Sequence, residues 1–197
     1  GGLGVLNILA VTGDRPTSGD QPYAKGVFET DSTGLIRLAA QLNAGQDDAG
    51  NALEASPSFF IGTAANPTAS DWPAELDKLE QKVAAGARFL QTQPVYDADA
   101  ARLFLERIAH LPVYPIIGVL PLRGHKMARY LNEKVTGIVV PEPLIKAVEA
   151  GGKAAGFAAA QALVEELSTF APGVHLMPLN DIEAASALAK AAKNATR

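Results

Sequence analysis

Short apolar runs alternate with longer stretches whose apolar positions recur every three or four residues, and the alternation holds from one end of the chain to the other. The short runs read as buried strands: Ile8 to Val11, Phe59 to Ala65, Arg88 to Gln93, Tyr114 to Leu120 and Gly173 to Leu179. Helices are predicted between them. One starts at Asp31 or Ser32, either of which can cap it, and turns Leu35, Leu38, Ala39 and Leu42 inward. The next is capped by Ser70 or Asp71, carries Pro73 in its first turn, buries Leu76, Leu79 and Val83, and ends at Gly86. A third, capped near Asp97, buries Ala101, Phe104, Leu105 and Ile108. Further helices are expected from about Gly124 to Asn132, with Met127, Tyr130 and Leu131 on one inward side, from Ala154 to Phe170, and from Asp181 onward. Gly137 to Pro141 suits a strand or an extended loop.

Strand and helix in alternation imply a parallel sheet with right-handed crossovers, either closed into a barrel or open and doubly wound. In both, ligands gather at the carboxyl ends of the strands. The expected strands end there in polar groups: Asp14, Asn66, Gln93 and Asn180. Asp14, following "NILAVTG", is the first functional candidate; the other reading is that it caps a turn. Gly13 beside it lets the backbone approach a flat ligand closely.

Composition narrows the chemistry. The chain has 197 residues, 48% of them apolar, enough for a single domain with one sizeable core. A net charge of −4 without a Lys/Arg cluster argues against nucleic acid as a partner. With no cysteine there is no disulfide, thiol nucleophile or cysteine-ligated metal, and a reducing compartment, the cytoplasm, is the default expectation. No apolar run approaches the roughly 18 residues that a membrane helix needs. Asp47 and Asp48 are adjacent rather than alternating, so they read as a solvated turn and not a calcium loop. No strand is followed by G-x-G-x-x-G, and Gly151 to Gly156 lacks the pattern of a phosphate loop. His110 and His175 read as structural, whereas His125, after the fourth strand, could line the rim. One carboxylate and a few amides, with no activated nucleophile or paired acids, are poor equipment for hydrolysis. They suit a site in which a bound organic cofactor does the chemistry.

Three stretches, "NILAVTGDRPTSGDQPYAKGVFETDSTGLIRLAAQLNAG", "FFIGTAANPTASDWPAELDKLEQKVAAGARFLQTQPVYD" and "IIGVLPLRGHKMARYLNEKVTGIVVPEPLI", with the closing "GVHLMPLN", together resemble the methylenetetrahydrofolate reductase family. The form fused to a homocysteine methyltransferase domain is the most similar. This resemblance implies a (β/α)8 TIM barrel of which the chain, 1–197, supplies about strands 4 to 8 as one domain. It implies FAD as cofactor, NAD(P)H as reductant and methylenetetrahydrofolate as substrate, in one-carbon and methionine metabolism.

By the same resemblance Asp14 is catalytic, beside flavin and pterin, and Gln93 hydrogen-bonds the pterin. Gly13, Phe28 and Glu29 fall on flavin-contacting segments, and Asn66, Ala69, Glu75, Lys78 and Lys82 face the rest of the cofactor. Read on its residues alone, Lys82, one helical turn from Lys78, either pairs with a diphosphate or is simply solvated. His125 stands where some members place an aromatic ring against the folate, and Asp181 where some have an arginine for its tail. The family's general acid, a glutamate on the first barrel strand, has no counterpart in these residues. The chain enters its first strand almost at once, as though from within a larger domain, and open sheet edges are expected, to be covered by another chain or a second copy. The rival expectations are a non-catalytic barrel fragment or subunit, and a folate-binding one-carbon enzyme without flavin.

Overall fold

The computed structural model describes residues 4–13, 21–27 and 29–195. Among them the order is β1 (Asn7–Ala10), α1 (Ser32–Asn43), β2 (Phe60–Ala65), α2 (Trp72–Ala85), β3 (Phe89–Pro94), α3 (Ala98–Arg107), β4 (Tyr114–Val119), α4 (His125–Lys134), α5 (Glu142–Leu167), β5 (Val174–Leu176) and α6 (Ile182–Ala195). The five strands are parallel and stand side by side in chain order. That order decides between the two architectures left open by the sequence. A doubly wound sheet reverses direction at a switch point, whereas sequential right-handed crossovers carry every helix to one face and curl the sheet as in a barrel. The chain is thus a five-strand segment of the (β/α)8 type.

Alternation along the strands separates the two faces. Leu90, Ile117 and Val119 face the helices and join Leu79, Phe104 and Val164 in the main core. Ile61 and Ala10 do the same with Ile36 and Ala39 of α1. On the opposite face Phe60 stacks on Phe89 with ring centroids 5.2 Å apart, and Tyr114 lies tilted 6.4 Å from Phe60. Gly62 makes room there, since a Cβ on it would run into the Phe89 ring. Leu9, Val11, Phe60 and Tyr114 on this face are exposed, and β1 and β5 form the sheet's two outer edges among the described residues.

Caps behave as the sequence implies. Asp31 accepts the Gly34 N–H at 2.8 Å, Asp71 accepts that of Ala74 at 3.1 Å, and Asp97 accepts that of Asp99 at 3.1 Å. Asp47 closes its turn by accepting the backbone and side-chain N–H groups of Asn51.

Two expectations need correction. Helix α1 buries Ser32, Ile36 and Ala39 and leaves Leu35 exposed, because the stripe facing β1 and β2 runs one position on from the one read from the leucines. In α4, Ala128 and Leu131 are buried and Tyr130 is exposed. Of the two forms that Gly137 to Pro141 suits, the structure takes the loop, with no strand there. The alanine-rich helix follows a break at Gly152, whose φ of 59° and ψ of −146° only glycine adopts readily, and α5 also holds a helical segment before that break, from Glu142 with Pro143 in its first turn, that the sequence reading did not include. No described helix is long and apolar enough to cross a membrane.

Candidate active site

The carboxyl ends of the strands form one rim. Asp14 and Phe28, two residues singled out in the sequence, lie outside the described residues. At the tip of β1, the Thr12 hydroxyl accepts the Ser32 N–H at 3.0 Å and donates to Ser32 Oγ at 3.1 Å, tying the strand to the first turn of α1. Next to it, Gly13, Glu29, Asp31, Arg37 and Gln81 line an open groove of about 720 Å³. A Cβ on Gly13 would meet no described atom.

Four of the sequence candidates converge at the tip of β2. Asn66 donates its backbone N–H to Glu75 Oε1 at 2.8 Å, and its side-chain oxygen accepts the Thr68 N–H at 3.2 Å. Ala69 closes the same turn with its N–H on the Asn66 carbonyl at 3.4 Å. Lys82 reaches back from α2 and donates from Nζ to the Ala64 carbonyl at 3.1 Å. It is half-buried. Desolvation lowers its pKa below the usual lysine value; Glu75 and Asp31 oppose that shift and the ammonium of Lys78 adds to it. Lys78, one turn earlier, is exposed.

Gln93 is exposed at the end of β3, where the strand is irregular. From Gln91 to Pro94 the register advances three residues on β3 against two on β4, an inserted residue of the bulge type that re-aims side chains at sheet ends. His125 is the first residue of α4 and half-buried. Asn180 stands exposed beyond β5. Among the predicted residues that are described, Gly13 and Glu29 stand at the groove by β1, Asn66, Ala69, Glu75 and Lys82 cluster at the tip of β2, and Gln93, His125 and Asn180 stand beyond β3, β4 and β5.

Sequence reasoning missed several participants. Gly137, far along the chain, lies against the Asn66 amide, and its carbonyl accepts from the Thr68 hydroxyl. Arg37 and Gln81 line the groove; their exposed positions on α1 and α2 could have been read from the helical period. His175 is paired with Gly118 in the sheet, and its Nδ1 is buried without a hydrogen-bond partner among the described residues. Burial lowers its pKa. His110, by contrast, sits at the surface 3.1 Å from Glu80.

Sequential parallel strands with a polar rim define an α/β protein of the barrel class, in which ligand sites lie at the strand tips. The family model for methylenetetrahydrofolate reductase matches residues 2–193. The chain belongs to the methylenetetrahydrofolate reductase family. It is 28% identical over 144 residues to the 5,10-methylenetetrahydrofolate reductase of Salmonella typhimurium, covering 70% of this chain and 42% of that one. With a probable methylenetetrahydrofolate reductase (NADPH) of Caenorhabditis elegans it shares 26% over 153 residues, 75% of this chain and 21% of the other. It thus spans less than half the length of these relatives. Among solved structures, an uncharacterized protein from Clostridium thermocellum that binds two copies of 5-methyl-5,6,7,8-tetrahydrofolic acid superposes with a TM-score of 0.51 at 19% identity, covering 70% of this chain and 54% of that one, a likeness of fold.

Proposed function

We propose that this chain contributes the cofactor and folate rim of a reductase that converts 5,10-methylenetetrahydrofolate to 5-methyltetrahydrofolate with NAD(P)H as electron source. The observation that carries the reading is the pair Lys78 and Lys82. Lys82 is half-buried with its Nζ on the Ala64 carbonyl at the β2 tip, Lys78 is exposed one helical turn before it, and the neighbouring Gln81 lines a groove of cofactor size, an arrangement that suits an anionic ligand. A diphosphate is such a ligand, so the residues fit FAD. When bound, FAD supplies the hydride relay between nicotinamide and folate.

In this reading Lys78 and Lys82 neutralise the diphosphate, while Glu75, Asn66 and Ala69 shape the cofactor path at the tip of β2. Gly13, Phe28 and Glu29 border the ring system. The Asp14 carboxylate stabilises positive charge developing on the folate, the Gln93 amide orients the pterin, and His125 flanks it. The cysteine-free sequence is compatible with the reducing cytoplasm that the reading assigns.

One observation favours a second reading, a barrel segment without activity of its own. Leu9, Val11, Phe60 and Tyr114 are exposed on the inner face, between two unpaired edges among the described residues, where strands of another chain or a second copy would complete the sheet. The visible absorption spectrum of the purified chain separates the two. An isoalloxazine band at about 450 nm that bleaches with NAD(P)H is the expected result for the reductase; a colourless protein that takes up no added FAD overturns it.

A further inference from the structure

At the carboxyl end of β5 the backbone is held against its preference. Leu179 and Asn180 have φ of 50° and 66°, the two described non-glycine residues in the left-handed region. For a leucine that conformation is sterically disfavoured and persists where neighbours hold it.

The neighbours here come from two other rim segments. Arg123, in the loop between β4 and α4, donates to the carbonyl oxygens of Pro178, at 3.3 Å, and Leu179. Asp181 accepts the Ala184 N–H at 3.0 Å, capping α6, and its second oxygen takes Lys153 Nζ at 2.6 Å. Lys153 directly follows the break at Gly152, so it stands in the first turn of a new helical segment, where the dipole disfavours a cation. Its pairing with Asp181 gives that misplaced charge a purpose. Both basic side chains are largely exposed, so neither is there to fill the core. The turn they hold walls a rim hollow of about 440 Å³ lined by His175, Met177, Leu179 and Asn180.

We propose that Arg123 and Lys153 are positioning residues: together they clamp the left-handed Leu179–Asn180 turn, and the clamped turn shapes the part of the rim that receives the folate. The second half rests on the folate reading above; the clamp itself does not.

The test uses hydrogen exchange and 5-methyltetrahydrofolate binding on the full chain and on Arg123→Gln, Lys153→Gln and Arg123→Gln with Leu179→Gly. Arg123→Gln and Lys153→Gln should each speed amide exchange in residues 179–184 by about tenfold, leaving β3 and α2 unchanged, and weaken folate binding by about fivefold. Adding Leu179→Gly, which makes the left-handed turn free of side-chain strain, should recover most of the lost affinity. Unchanged exchange in the single variants overturns the clamp. Faster exchange with unaltered affinity, or no recovery in the double variant, overturns its role in binding. If the unaltered chain binds no folate, the functional reading fails, and the exchange result decides the clamp by itself.

Discussion

The hydroxyl of Thr92 accepts the backbone N–H of Gly118 at 2.8 Å, replacing a carbonyl in the β3–β4 ladder at the point where β3 gains its extra residue. Pro94 has no N–H to offer there, and the Val95 N–H resumes the ladder on the Gly118 carbonyl at 3.0 Å. Gln93 lies within this irregularity, so its exposure on the rim depends on a buried side chain pointing the other way. Thr92→Val keeps the shape and removes the acceptor. It should cost about 1–3 kcal/mol in a denaturant titration, with Thr92→Ser retaining more stability.

A second outcome concerns the loop behind Asn66. Gly137 has φ of 84° and lies against the Asn66 amide, while Gly50, with φ of 85°, has open space where its side chain would be. Gly50→Ala should lose about 1 kcal/mol from conformation alone. Gly137→Ala adds a clash and should lose about 1–3 kcal/mol more, and chemical shifts at Asn66 and Thr68 should move in that variant only.

Lys82 gives a pH signature. Burial lowers its pKa, so the folded chain binds fewer protons than the unfolded one between the lowered value and 10.5, and stability rises with pH through that window. Lys82→Met should therefore raise the unfolding midpoint of the ligand-free chain at pH 7, with the gap to the unaltered chain closing as the pH approaches 10.5. The same variant should weaken FAD binding by at least about tenfold, measured by fluorescence titration.

His175 behaves in the opposite range. Its pKa lies below 6.5 because burial disfavours the imidazolium, and below 6.5 the unfolded chain takes the proton first. Stability should fall as the pH drops from 6.5 through the lowered value. NMR titration of the ring should show neutral imidazole at pH 7, and His175→Asn should flatten that part of the stability profile.

Asp14→Asn, made in a preparation that turns over, should slow folate reduction more than reduction of the flavin by NAD(P)H, because the carboxylate is assigned to charge on the folate. Stopped-flow measurement of the two half-reactions checks this; equal slowing of both removes Asp14 from that role.

Much of the secondary structure was legible from the chain because capping and periodicity are local. Asp31, Asp71 and Asp97 cap where the sequence places them, and Gly86, with φ of 126°, ends α2. Which face of α1 turns inward was not legible, since Leu35 and Ile36 are both apolar and the choice belongs to the sheet they meet. The helical segment before Gly152 was hidden for a related reason. A Gly-Gly pair after Pro143 looks like loop, and the segment becomes helical because Ile145 and Val148 find a core against Leu122 and Val140.

At the site, Asn66, Glu75 and Lys82 could be named from the resemblance, but their hydrogen bonds could not. Helical spacing puts Glu75, Lys78 and Lys82 near one another; only folding shows that Lys82 bends back to a carbonyl of β2 instead of extending into water. The sequence by itself determined the element types, the family and the polar residues at the strand tips, because these follow from local periodicity and from motifs that travel with the chain. Strand order, the bulge that presents Gln93, Gly137 behind Asn66 and the Arg123 hold on the Leu179–Asn180 turn were decided by tertiary structure alone. Each joins groups far apart in the chain, and their meeting depends on how the sheet curls and how its crossovers close.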